Sequence, residues 1–121
     1  MTKKVLIVED YADTRTMMRY LLQHFGYEVF EAADGQEAVD RARENHPDLI
    51  LMDISMPVMD GLTATQIIRK FEGFAKIPII AVTAYGKSYY RQAIEAGCDD
   101  LINKPLDFEN LQPILEQYLA Q

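Results

Sequence analysis

The chain reads as an α/β domain with a parallel sheet covered by helices on both faces, and three observations lead there. Short apolar runs and amphipathic helical patterns alternate five times along it. The runs at Lys4-Val5-Leu6-Ile7-Val8, Leu49-Ile50-Leu51-Met52 and Ile77-Pro78-Ile79-Ile80-Ala81-Val82 are nearly continuous rather than alternating, as in strands buried on both sides. Their exits carry polar chemistry: Glu9-Asp10, Asp53 and Thr83, joined by Lys104 after a shorter run.

Size and composition bound the reading. At 121 residues the expectation is one domain spanning 1–121, within the usual ~100–150 residues. A 49% hydrophobic and 26% charged composition is that of a globular protein, and no apolar run approaches the ~20 residues that cross a bilayer. Met1-Thr2-Lys3-Lys4 enters a strand directly, leaving no room for a signal peptide, so a cytoplasmic protein away from membranes is expected. Cys98 is the only cysteine, which excludes an internal disulfide and suits a small buried hydrophobe. A net charge of −7 opposes direct binding to nucleic acid or anionic lipid, so any effect on DNA would pass through a partner protein.

Taken in order, the first strand ends at Glu9-Asp10. Thr14, Met17, Met18, Leu21, Leu22 and Phe25 then recur at helical spacing and predict a core-facing stripe ended by Gly26. Tyr27-Glu28-Val29-Phe30-Glu31 alternates, as an edge strand does. Asp34-Gly35 turns into a second helix with Ala38, Val39 and Ala42 inward, stopped by Asn45-His46-Pro47. His46 reads as a dipole partner at that helix end and His24 as a surface residue. After Asp53, Met56-Pro57-Val58-Met59-Asp60-Gly61 forms a loop, and Leu62, Ile67, Ile68 and Phe71 mark a third helix closing near Gly73. The strand ending in Thr83 follows, with its proline among the first positions. Lys87 to Ala96 predicts a fourth helix with Ala93 and Ile94 inward and Gly97 as its stop. Asp100-Leu101-Ile102-Asn103 is a short last strand leading into Lys104-Pro105. Asp107 caps a final helix bearing Leu111, Ile114, Leu115, Tyr118 and Leu119; Pro113 within it predicts a kink, or a helix that starts only at Pro113.

A parallel sheet delivers the strand ends to one edge, where such folds bind ligands. There Glu9, Asp10, Asp53, Thr83 and Lys104 converge. Carboxylates ~5 Å apart repel by ~3 kcal/mol at an effective dielectric of ~20, so three together approach ~10 kcal/mol, comparable with a whole domain's stability. A hard divalent cation with oxygen ligands relieves this best, and Mg²⁺ keeps waters that a phosphoryl group can replace. A hydroxyl and an ammonium beside it suit phosphoryl oxygens, and Asp53 is placed to act as a nucleophile forming an acyl-phosphate.

Val8-Glu9-Asp10, Leu51-Met52-Asp53-Ile54-Ser55-Met56-Pro57, Met59-Asp60-Gly61, Val82-Thr83-Ala84 and Lys104-Pro105 together resemble the receiver domain of two-component response regulators, the CheY-like family, over essentially the whole length. The resemblance implies a stand-alone receiver with a flavodoxin-like, doubly wound five-stranded sheet in the order 2-1-3-4-5. It further implies phosphorylation of Asp53 from the phosphohistidine of a sensor histidine kinase or phosphotransfer protein. Asp10, Asp53 and the Ser55 carbonyl would ligate Mg²⁺, with Glu9 acting through water. Thr83 and Lys104 would hold the phosphoryl group, the Lys104-Pro105 bond would be cis, and a downstream protein would read the result. Such a domain catalyses only its own phosphorylation and dephosphorylation and is not otherwise an enzyme.

Two residues depart from that pattern. The family's switch aromatic, three residues before the lysine, is Leu101, which shifts the expected readout to the segment from Ala84 to Tyr90 with Tyr85, Tyr89 and Tyr90. The resemblance implies that the position of Tyr85 influences how water reaches the phosphoryl group: an aromatic there either shields the acyl-phosphate or points to solvent and changes nothing, and with Ser55 offering no long side chain to deliver water, slow self-dephosphorylation is expected. Pro113 alters the last helix. An aspartyl-nucleophile phosphohydrolase of the haloacid dehalogenase type is the main alternative, but it carries a second Asp where Ser55 stands. A flavin-binding flavodoxin-like protein would need a hydroxyl- and Gly-rich loop where Glu9-Asp10 stands.

Overall fold

The computed structural model describes residues 2–54 and 59–119. Five parallel strands, β1 (Lys4–Val8), β2 (Glu28–Ala32), β3 (Leu49–Asp53), β4 (Ile79–Thr83) and β5 (Asp100–Asn103), lie in the order β2-β1-β3-β4-β5. Five helices connect and follow them: α1 (Ala12–His24), α2 (Gly35–Asn45), α3 (Gly61–Arg69), α4 (Gly86–Ala96) and α5 (Phe108–Leu119). The expected doubly wound architecture and strand order are both present.

The nearly continuous apolar runs become the three central strands because each must fill two cores at once. Leu6, Val8, Ile50, Met52, Ile79 and Ala81 face one side, packed by Ala38, Val39 and Ala42 of α2, Ala64 and Ile68 of α3, and Ala93 of α4. Val5, Ile7, Leu49, Leu51, Ile80 and Val82 face the other, under Met18 and Leu22 of α1 and Leu111, Leu115 and Leu119 of α5. The register sets Val8 beside Met52 and Asp53 beside Val82, so strand ends fall at one level. Glu9, Asp53 and Thr83 are thereby carried to a common edge.

Helix ends follow the local chemistry. Asp34 accepts from the Glu37 N–H and Asp60 from the Thr63 N–H, each at 2.8 Å, capping α2 and α3. Gly97 closes α4 at φ +115°, a left-handed conformation that glycine adopts without a Cβ clash. Gly61 begins α3 against the Asp53 backbone: a Cβ there would stand 2.1 Å from the Asp53 carbonyl oxygen. His46 does end α2, in a left-handed conformation with its ring 4.5 Å from that of Phe74.

Two expectations fail and a third is narrowed. Met17 is 42% exposed although it falls on the apolar repeat of α1, because the stripe is wider than the face the sheet covers. Ile94 is 37% exposed, and Ala96 takes the inward place on α4, where the close approach to β5 favours a small side chain. The last helix does not wait for Pro113. Asp107 accepts from the Asn110 N–H while the Asn110 side chain accepts from the Asp107 N–H, each at 2.9 Å, and this reciprocal cap starts α5 at Phe108. Pro113 has no N–H for the Glu109 carbonyl, and Glu109 is exposed where water can serve it.

Candidate functional site

The strand exits converge as their types suggested. Glu9 and Asp53 are 1% and 2% exposed, so two acids sit almost dry at the edge of the sheet. One carboxylate oxygen from each of Glu9, Asp10 and Asp53 lies within 4.8 Å of the others. Asp10 is exposed and closes the cluster from the solvent side. Burying carboxylates this close demands positive charge.

Lys104 supplies part of it. Its Nζ stands 2.8 Å from Glu9 Oε1 and 3.2 Å from Asp53 Oδ2, donating a hydrogen bond to the latter. Burial alone would pull the Lys104 ammonium down, but the hydrogen bonds and charges of Glu9 and Asp53 outweigh it and raise its pKa above the ordinary lysine value. The Lys104-Pro105 peptide is cis, as expected. Asn110 fixes the turn by donating from Nδ2 to the Asn103 and Pro105 carbonyls at 3.3 and 3.0 Å.

Thr83 is 1% exposed at the end of β4. Its Oγ1 accepts from the Tyr85 N–H at 3.1 Å, which ties the start of the β4–α4 turn to the hydroxyl. Ser55 lies outside the described residues, as do Met56 and Pro57. Every other expected site residue, Glu9, Asp10, Asp53, Thr83 and Lys104, is placed at the carboxyl edge of the sheet.

The donor set fits Mg²⁺: hard oxygen ligands clustered from two strand ends, with Glu9 Oε1 buried and met by an ion pair but by no well-aligned hydrogen bond among the described residues. Several contacts that shape the cluster escaped sequence reasoning. The Tyr11 N–H donates to Glu9 Oε2 at 3.0 Å, and Arg15 Nη1 donates to the Glu9 carbonyl at 2.8 Å. On the far side of Thr83, the Gly86 N–H donates to Asn103 Oδ1 at 2.9 Å, linking the start of α4 to the residue before Lys104. A backbone donor leaves no mark in a sequence, and Arg15 meets Glu9 only once the helix has formed.

Leu101 packs half-buried against the α2–α4 side of the core, beneath Gly86. Tyr85 is 65% exposed, its ring edge-on to that of Tyr89 at 6.4 Å, and Tyr90 is exposed beside them. Among the described residues no helix is long and apolar enough to cross a membrane.

Comparison with known proteins agrees with this geometry. A family model described as the response regulator receiver domain matches residues 5–116. The polar-differentiation response regulator DivK of Brucella ovis is 41% identical over 121 residues, covering 99% of this chain and 98% of its own. The receiver domain of the sensor histidine kinase PA1611 from Pseudomonas aeruginosa, solved with magnesium coordinated in its active-site cleft, is 36% identical with a TM-score of 0.92 over 100% of both chains. The co-crystal structure of the Saccharomyces cerevisiae histidine phosphotransfer protein Ypd1 with the receiver domain of its downstream response regulator Ssk1 matches at 30% identity and a TM-score of 0.89, over 97% of this chain and 88% of that one. With the motif residues gathered at one sheet edge and relatives matched along nearly its full length, the chain belongs to the response regulator receiver domains of two-component signalling.

Proposed function

We propose that Asp53 is the phosphoacceptor of this receiver domain, and that its phosphorylation depends on Mg²⁺ held by Glu9, Asp10, Asp53 and the Ser55 carbonyl. The observation that carries the proposal is the buried Asp53 carboxylate 3.2 Å from Lys104 and within 4.8 Å of the other two acids. When bound, Mg²⁺ neutralises these carboxylates and the incoming phosphoryl oxygens together. Asp10 and Asp53 would supply oxygen ligands to it, and Glu9 would support it through water, as the family resemblance implies.

In the transfer, an Asp53 carboxylate oxygen forms the new O–P bond while the P–N bond of a phosphohistidine breaks, its electron pair returning to the imidazole nitrogen. Lys104 then has a phosphoryl oxygen to pair with. The Thr83 hydroxyl already accepts from Tyr85, so its own proton is directed to a second phosphoryl oxygen. Hydrolysis later restores the carboxylate and releases phosphate. The domain thus catalyses its own modification and turns over no other substrate.

The donor is a sensor histidine kinase or a phosphotransfer protein in the cytoplasm. The output is a contact with a downstream protein, not with nucleic acid or membrane. Thr83 moves toward the phosphoryl group, and the Ala84–Tyr90 segment follows through the Tyr85 N–H. Because Leu101 is half-buried against the core and has no hydroxyl to expose, the changed surface is that of α4, with Tyr85, Tyr89 and Tyr90. Tyr85 shields the acyl-phosphate only if its exposed ring turns in with Thr83. Comparable dephosphorylation of wild type and Tyr85→Ala would rule that shielding out.

The phosphohydrolase alternative is not favoured by the family match or by Ser55 at the position where those enzymes carry a second Asp. Incubation with phosphoimidazole, a small stand-in for phosphohistidine, tests the main reading. One phosphate should be gained with Mg²⁺, and none in chelator or in Asp53→Asn. Equal gain in Asp53→Asn overturns it.

A further inference from the structure

Arg15 belongs to none of the motifs in the sequence, yet it grips the frame of the acidic cluster. Nη1 donates to the Glu9 carbonyl at 2.8 Å, and Nε donates to Glu31 Oε1 at 3.2 Å. The other Glu31 oxygen accepts from Arg19 Nη1 at 2.8 Å. One carboxylate from β2 therefore aligns two arginines a turn apart on α1. Arg15 and Glu31 are only 21% and 30% exposed, which strengthens the pair relative to one in open solvent.

The opposite end of the Glu9 residue is held as well, since its N–H donates to the Ala32 carbonyl at 3.0 Å. The Glu9 carbonyl belongs to the peptide plane that continues into Asp10. Holding that oxygen sets the direction in which Asp10 leaves the sheet. Among the described residues no side-chain partner orients the exposed Asp10 carboxylate, so the backbone is what aims it.

We propose that Arg15 is a positioning residue for the cation site: clamped by Glu31, it fixes the Glu9–Asp10 peptide and thereby the distance of the Glu9 and Asp10 carboxylates from Asp53. The proposal rests on the reading of Glu9, Asp10 and Asp53 as Mg²⁺ ligands. It makes a prediction opposite in sign to that of charge alone. A guanidinium near a cation site repels the cation, so its removal would tighten Mg²⁺ binding if charge were all that mattered. If the clamp matters, removal loosens the ligands and weakens binding.

Mg²⁺ binding is measured by titration calorimetry on the unphosphorylated full chain, for wild type, Arg15→Gln, Arg15→Lys and Glu31→Gln, with thermal unfolding of each in parallel. Arg15→Gln should bind Mg²⁺ about tenfold more weakly, the scale seen when a group that orients a metal ligand is lost. Arg15→Lys keeps a donor for the Glu9 carbonyl and should recover most of the affinity. Glu31→Gln keeps the Arg15 charge but loosens its aim, and should bind several-fold more weakly. Unchanged or tighter binding by Arg15→Gln overturns the proposal; if that variant does not fold, unchanged or tighter binding by Glu31→Gln does so. Failure of the wild type itself to bind Mg²⁺ is a different result, and overturns the metal reading on which this one rests.

Discussion

Asp53→Asn should make the domain more stable in the absence of divalent cations while abolishing phosphoryl acceptance. Asp53 stands within 4.8 Å of two other carboxylates, and each such repulsion is worth about 3.5 kcal/mol at an effective dielectric of ~20. Against this stands its attraction to Lys104 at 3.2 Å, about 5 kcal/mol on the same scale. Asp10 and Lys104 both reach solvent, which trims one repulsion and the attraction alike. The balance favours the amide by about 1–2 kcal/mol, which for a domain of this size is roughly 4–8 °C in Tm. Urea unfolding in chelator measures it. With Mg²⁺ at ~100 times its Kd, the wild type gains ~2.7 kcal/mol and the order should level or reverse. An Asn variant less stable than wild type in chelator would refute the view that repulsion dominates at this edge.

Lys104→Met should lose phosphoryl acceptance and destabilise the fold by roughly 1–3 kcal/mol, because it strips two buried carboxylates of a half-exposed partner. The Lys104 pKa is raised, so its contribution is full below the ordinary lysine range and is lost only as pH climbs through the folded value; denaturation at rising alkaline pH should show the two proteins converging. Tyr118 donates to Asp100 Oδ2 at 3.1 Å, and burial, followed by that acid, pushes its pKa up to about 12. The neutral phenol is the form the fold favours, so its contribution is full below about pH 10 and lost between about 10 and 12. Phenolate absorbance should show a late-titrating tyrosine that Tyr118→Phe removes, while Tyr27, also raised by its burial, still titrates late. A Cβ on Gly86 would stand 2.1 Å from Asn103 Oδ1, so Gly86→Ala should cost roughly 1–2 kcal/mol by breaking that hydrogen bond. Adding Asn103→Ala should cost less than the two single changes combined, measurable as a double-mutant cycle in urea.

The fold was readable because its determinants are local and repeated. Strands that fill two cores leave continuous apolar runs, and caps such as Asp34 and Asp60 announce helices within a few residues. Burial of individual helix positions was less legible. Met17 and Ile94 have the right spacing, but which edge of a stripe the sheet covers depends on helix orientation, and that is fixed by distant contacts. Pro113 does not delay the last helix because the reciprocal Asp107–Asn110 cap secures the turn before it, a pairing that a sequence shows only as two polar residues three apart. In the site, Glu9, Asp10, Asp53, Thr83 and Lys104 were visible because each ends or follows a strand. Arg15, Glu31 and Asn103 were not, because Arg15 and Asn103 meet backbone groups, and Glu31 meets Arg15, only once packing brings them together across separations no periodicity reports.

The central claim is that the carboxylate at position 53 becomes the acyl-phosphate. After phosphorylation by acetyl phosphate with Mg²⁺, borohydride reduction converts an aspartyl phosphate into homoserine, and peptide mass spectrometry locates the converted residue. Conversion at Asp53 alone, absent in chelator, is the predicted result; conversion at Asp10 or elsewhere, or none in a protein that binds Mg²⁺, would contradict the account.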